Sequence, residues 1–95
     1  MLTINGGTLR RVDQLGNIKA TIANDAVDFD ENDEYIAVVH RDGSVVLYAD
    51  ELGNIHSRVT NEARRVRLDG DEILVLKEDG RWIRYNDIGT YLGSY

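Results

Sequence analysis

A short β-pattern is written nearly three times along this chain. Leu52-Gly53-Asn54-Ile55 repeats Leu15-Gly16-Asn17-Ile18 at a spacing of 37, and Asp42-Gly43 recurs 37 residues on as Asp79-Gly80. Gly6-Gly7 holds the same place in a first, clipped copy. A period of this length means stacked supersecondary units, none of which can bury its apolar face alone. The chain is therefore expected to be a stack of small sheets.

Each copy reads as a hairpin followed by a third strand. Tyr35–His40 and Ser44–Tyr48 flank Arg41-Asp42-Gly43, and two β-branched runs joined by Asp-Gly are a strong hairpin signal. Ile73–Lys77 and Arg81–Tyr85 repeat this around Glu78-Asp79-Gly80, and Met1–Ile4 with Thr8–Val12 give a weaker version. Third strands follow at Ile18–Ile22, Ile55–Val59 and Tyr91–Tyr95. Two more precede the full hairpins, Ala26–Asp30 and Arg65–Asp69. These two match each other less well, since Val27 and Phe29 fall on Val66 and Leu68 only after a two-residue shift. The sequence predicts eleven strands in a single domain of three units, 1–24, 25–61 and 62–95, the first lacking its inner strand.

The second strand of copies two and three is apolar at consecutive positions, which predicts a sheet covered on both faces. Phe29-Asp30, Tyr35-Ile36-Ala37-Val38, Asp42-Gly43-Ser44-Val45-Val46-Leu47-Tyr48 and Gly53 resemble one blade of a WD40-type propeller in order and spacing. The resemblance implies an all-β fold of antiparallel four-stranded blades, about three per chain. It implies a scaffold that binds partners on its faces and brings no catalytic residue.

Soluble propellers close with about four to eight blades, and open stacks need polar ends. The end copies carry Leu2, Ile4, Leu9 and Val12 on one side and Ile83, Tyr85, Tyr91 and Tyr95 on the other. We therefore expect a homodimer that closes a six-bladed ring. The candidate chain junction is Leu9, Arg11, Val12, Ile83, Arg84 and Tyr85. Arg11 and Arg84 stand where copy two has Leu47. They either pair with acids across that junction or lay their stems over an apolar edge with heads in water. The missing inner strand leaves an edge in copy one. It is expected to face a wet central channel; the other reading is a docking edge for a partner peptide.

Composition narrows the function classes. A formal charge of −6 argues against a nucleic-acid backbone as ligand, and the nine arginines against two lysines are interleaved with acids. There is no cysteine, and two histidines are too few for a His-rich zinc site. No apolar run approaches a membrane span and Met1–Ile4 meets Gly6-Gly7 too soon for a signal peptide, so a soluble, cytoplasmic chain without membrane association is expected.

The remaining candidates for chemistry are weak. Asp28, Asp30 and Asn32 resemble the opening of a calcium loop, but Asp33 replaces the glycine at position six and Val39 the glutamate at position twelve. Asp13, Asp50 and Asp87 recur after the hairpin and are expected to hold turns. His40 and His56 have no Ser or Cys nucleophile at a recognisable spacing, and Arg64, Arg65 and Arg67 read as a solvated strand face. Trp82 is the single tryptophan, aligned with Val45 and Leu9, and reads as packing or as a weak ligand contact, a sugar-stacking platform. The sequence thus points to a non-enzymatic protein-binding or structural module with no cofactor. A carbohydrate-binding, lectin-like propeller is the alternative.

Overall fold

The computed structural model describes residues 1–49 and 53–95. Asp50 and Leu52, which belong to the repeated turn, lie outside the described residues. The described residues form eleven strands and no helix. They are β1 (Leu2–Asn5), β2 (Thr8–Val12), β3 (Ile18–Ala23), β4 (Ala26–Glu31), β5 (Ile36–His40), β6 (Val45–Tyr48), β7 (Ile55–Thr60), β8 (Ala63–Asp69), β9 (Glu72–Lys77), β10 (Trp82–Tyr85) and β11 (Tyr91–Ser94). They make three antiparallel meanders: sheet I with order β1-β2-β3, sheet II with β4-β5-β6-β7 and sheet III with β8-β9-β10-β11. The expected grouping and the three-stranded first sheet are both present.

Sheet II is the middle layer. Strand alternation sends Ala37, Val39, Val45 and Leu47 to one face, where they pack with Val66, Ile73, Val75, Ile83 and Tyr85 of sheet III. Ile36, Val38, Val46 and Tyr48 go to the other face and pack with Leu2, Leu9 and Ile22 of sheet I. The consecutive apolar run in β5 is thus explained: each neighbour takes alternate residues. Each fully buried Val or Leu here contributes roughly 1.5–3 kcal/mol of transfer free energy.

The inner strands β4 and β8 superpose without the two-residue shift that the sequence suggested. Ala26 pairs with His40, Asp28 with Val39 and Phe29 with Val38, while Val27 bulges out. In β8, Ala63 pairs with Lys77, Arg65 with Leu76 and Val66 with Val75, while Arg64 bulges out. Phe29 therefore matches Val66, and Asp28 and Asp30 match Arg65 and Arg67. The bulges re-aim the strand by one residue, which apolar pattern matching cannot register.

Successive sheets are plugged together at their hairpin turns. The Gly7 carbonyl accepts the Ala26 N–H at 2.7 Å, and the Gly43 carbonyl accepts the Ala63 N–H at 2.9 Å. Within the turns, the Asp42 carboxylate accepts the Ser44 hydroxyl and N–H, which hold its pKa below the ordinary aspartate value. Asp79 is lowered in the same way, first by the Arg81 N–H.

The glycine of each Leu-Gly-Asn or Ile-Gly-Thr turn has a packing role wherever a sheet precedes it. A Cβ on Gly53 would sit 3.1 Å from the Ile22 carbonyl oxygen, and one on Gly89 would sit 2.8 Å from that of Val59. Gly16 meets nothing within 4 Å, as the described residues place no earlier strand against it. All three have positive φ. Gly89→Ala should therefore cost about 2–4 kcal/mol, combining backbone strain with a displaced strand, and Gly16→Ala about 1–2 kcal/mol from strain alone. Urea unfolding of the two variants measures the difference. The lowered Asp42 and Asp79 carboxyls stabilise the fold fully above the ordinary aspartate pKa of about 3.9, and that contribution is lost as pH falls through their lowered values. Carboxyl-carbon NMR titration should place both midpoints below 3.9.

Candidate functional site

The junction between sheets II and III shows how one layer receives the next. In β4, residues pair with β5 in the order Asp30 with Ala37 and Asp28 with Val39. Ladder alternation then turns the N–H groups of Phe29 and Glu31 outward, and those of Val66 and Leu68 in β8 likewise. The outward groups of β8 do not face water. The Asp28 carboxylate accepts the Val66 N–H at 3.0 Å, and the Asp30 carboxylate accepts the Leu68 N–H at 2.8 Å. Two acids two residues apart therefore stitch the inner edge of one sheet to the inner edge of the next. Arg67 closes the latch by donating to Asp28 at 3.3 Å. These carboxylates belonged to the calcium-like run of the sequence. In the structure they are committed to backbone, and among the described residues no group of three or more acids or histidines converges as a metal site would.

A second clamp lies further out on the same junction. The Asp87 carboxylate accepts the Tyr35 hydroxyl at 3.0 Å and contacts His56 Nε2 at 3.2 Å, and the Tyr35 and His56 rings lie 4.8 Å apart. The Asp87 hydrogen bond is the main cause raising the Tyr35 pKa above the usual tyrosine value. Ser57 donates to the Asp87 carbonyl rather than to His56, so Ser, His and Asp are near one another without a nucleophile–base hydrogen bond. Asp13 does hold its turn, accepting the Leu15 and Asn17 N–H groups. In sheet III the corresponding turn is held by Asn86, which accepts from Ile88 and Thr90, and Asp87 reaches back to sheet II instead.

The two end faces differ in chemistry. On sheet III, alternation puts Leu74, Leu76, Trp82 and Arg84 on the face away from sheet II, opposite the packed Ile73, Val75, Ile83 and Tyr85. Trp82 stands directly across from Leu76, and Arg84 donates to Glu72 at 2.6 Å. On sheet I, the face away from sheet II carries Thr3, Arg10 and Val12, because Leu2, Ile4 and Leu9 point inward. The sheet III end carries Leu76 and Trp82, with Leu74 already buried within the chain, beside Arg65 and Arg84, while the sheet I end is mostly polar.

The six residues expected at a chain junction are divided by this geometry. Leu9 is fully buried between sheets I and II, and Ile83 and Tyr85 are buried between sheets II and III. Arg11 points inward and pairs with Glu31 of its own chain at 3.3 Å. Only Val12 and Arg84 lie on outward faces, with Trp82 beside Arg84. Arg64 is the bulged residue of β8, Arg65 shares the outer face with Arg84, and Arg67 folds back to Asp28.

A feature the sequence reading missed recurs in two copies. A cavity of about 530 Å³ is lined by Asp25, His40, Arg41, Asp42, Tyr48 and Arg58, among others. A second, of about 440 Å³, is lined by Glu62, Lys77, Glu78, Asp79, Tyr85 and Tyr91, among others. The two correspond along the repeat. His40 Nε2 lies 3.0 Å from the Tyr48 hydroxyl, and Lys77 sits 5.4 Å from the Tyr85 ring centre. The recurring Tyr48 and Tyr85 were the available signal. Comparison of the chain with protein-family models and with curated proteins gives no match.

The latch makes a direct prediction. Asp30→Ala should destabilise the fold by about 1–2 kcal/mol, because it removes the acceptor of the partly buried Leu68 N–H. Asp30→Asn keeps an acceptor oxygen and should cost less. Amide exchange at Leu68, faster in Asp30→Ala and near wild type in Asp30→Asn, separates loss of this bond from general loosening.

Proposed function

We propose that the chain is a non-enzymatic protein-binding or structural module whose three sheets are propeller-type blades, and that it is completed through the outer face of sheet III. One observation carries this reading. Leu74, Leu76, Trp82 and Arg84 stand where sheet II has Ala37, Val39, Val45 and Leu47, and those four are fully buried beneath sheet III. A face built on the same plan calls for the same kind of cover.

The occupant that the repeat plan supports is sheet I of a second copy, giving a ring of six blades across a two-fold dimer. Gly16 would then meet the last strand of the partner copy as Gly53 and Gly89 meet theirs. Arg10 stands where Val46 and Ile83 stand in the inner layers, so in such a junction it would lie near Trp82, where a guanidinium over an indole is favourable. Thr3 and Arg10 make this junction more polar than the two internal ones, so it should be the weaker contact and dissociate on dilution.

A carbohydrate-binding reading stands second. The recurrence of the tyrosine-bearing cavities supports it, since paired carboxylates, basic groups and an exposed Tyr91 suit hydroxyl-rich ligands. Trp82 does not enter either cavity lining.

Light scattering behind a sizing column tests the first reading. A mass of twice the 10.7 kDa chain is expected at high concentration, falling toward one chain on dilution. Trp82→Glu should abolish the dimer without unfolding the chain. A single-chain mass at every concentration up to several hundred micromolar would reject second-copy closure. Glycan-array binding lost in both Tyr48→Phe and Tyr85→Phe variants would favour the carbohydrate reading.

A further inference from the structure

Sheet I has three strands where sheets II and III have four, and the unfilled place lies beside β1. Met1 and Val12 exchange both backbone hydrogen bonds, the terminal amino group donating to the Val12 carbonyl and the Val12 N–H to that of Met1. Alternation from that pair turns the N–H and C=O groups of Thr3 toward β2 and those of Leu2 and Ile4 toward the open edge. In sheet II the matching residues are Ala37 and Val39, whose inner-strand partners are Asp30 and Asp28. A strand filling the place in sheet I would set one residue opposite Ile4 and another, two positions on, opposite Leu2.

The neighbouring groups specify what those residues should be. By the repeat plan, β4 would turn toward the unfilled place the N–H groups of Phe29 and Glu31, the counterparts of the Val66 and Leu68 groups that take the two carboxylates of the sheet II–III latch. The Glu31 N–H is bonded only to the adjoining Asp30 side chain, at 3.0 Å. Arg11 shares the row of Leu2 and reaches the Glu31 carboxylate at 3.3 Å. Among the described residues, Arg11 Nε is a buried side-chain nitrogen without a hydrogen-bond partner. Two outward N–H groups and a guanidinium with a buried, unbonded donor make a place for anionic acceptors.

We propose that the open edge of β1 binds an extended partner peptide as an antiparallel fourth strand, and that the peptide carries two carboxylate side chains flanking one apolar residue. Backbone bonds to Leu2 and Ile4 give the register. The first carboxylate accepts from the Phe29 N–H, and the second accepts from the Glu31 N–H and from Arg11 Nε. The apolar residue between them lies on the side of Thr3, as Phe29 lies on the side of Val38. The edge belongs to sheet I, but every group it uses lies within one chain, so peptide binding can be read whether or not the chain dimerises.

The test is an NMR titration of the ¹⁵N-labelled full chain with a synthetic ten-residue peptide copying residues 24–33, which contains Asp28-Phe29-Asp30. Amide signals of Leu2, Ile4, Phe29 and Glu31 and the Arg11 Nε–H signal should move together to one saturation curve. Exchange at Leu2 and Ile4 should slow at least tenfold at saturation. The same peptide with the residues copying Asp28 and Asp30 changed to asparagine should bind at least tenfold more weakly, and Arg11→Gln in the chain should weaken the acidic peptide by a similar factor while leaving the spectrum folded. Unmoved Leu2 and Ile4 amides at millimolar peptide, or equal affinity for the acidic and amide peptides, would overturn the proposal.

Discussion

A sheet edge is a row of N–H and C=O groups that must find partners once another layer covers it. This chain meets that demand with side chains rather than with another strand. Asp28 and Asp30 leave the inner strand of sheet II and take the edge N–H groups of sheet III at 3.0 and 2.8 Å. Charge-assisted bonds of this kind are stronger than neutral ones, and they are directional. They set both the distance and the register between two sheets that apolar packing alone would leave free to slide. The Asp87 clamp on Tyr35 and His56 does the same toward the outer strands. Between these two polar fixings, Val39, Val45, Val66 and Val75 are buried without a polar atom among their side chains.

The junction also gives the stack a direction. The sheet II–III junction places the carboxylates on the earlier sheet and the receiving N–H groups on the later one. Sheet III breaks the pattern, because Arg65 and Arg67 hold the positions of Asp28 and Asp30. A guanidinium cannot accept an N–H, so a neighbour laid over sheet III would not be received by the same latch. This agrees with a neighbour that has no inner strand of its own, which is the condition of sheet I. The two ends are thus unlike, and contacts between unlike surfaces are the kind that propagate around a ring.

Much of this was legible before any coordinates. The period of 37, the Asp-Gly hairpins and the doubly apolar β5 placed the strands and grouped them into sheets. The end faces were not legible, because counting apolar residues in Leu2, Ile4, Leu9 and Val12 ignores which side each one faces. Three of the four point into the chain and leave a mostly polar surface. The inner-strand alignment failed for a related reason. Val27 and Arg64 bulge, and a bulge exchanges the two faces of a strand without changing its composition. Asp28 and Asp30 failed the calcium-loop pattern, and their spacing alone did not show that a row of N–H groups on the next sheet would take them.

The repeated cavities follow from the same geometry. Each is lined by the hairpin-turn end of its sheet together with residues of its last strand. His40 and Tyr48 line it in one copy, Lys77 and Tyr85 in the next, so each cavity sets a basic group beside a phenol. The tyrosine rings are buried at the base as part of the core, which fixes them, while the charged groups at the rim differ between copies. A stack of this type can therefore vary its rim without disturbing its packing. Substitutions at the rim and at the latch therefore act on different parts of the structure.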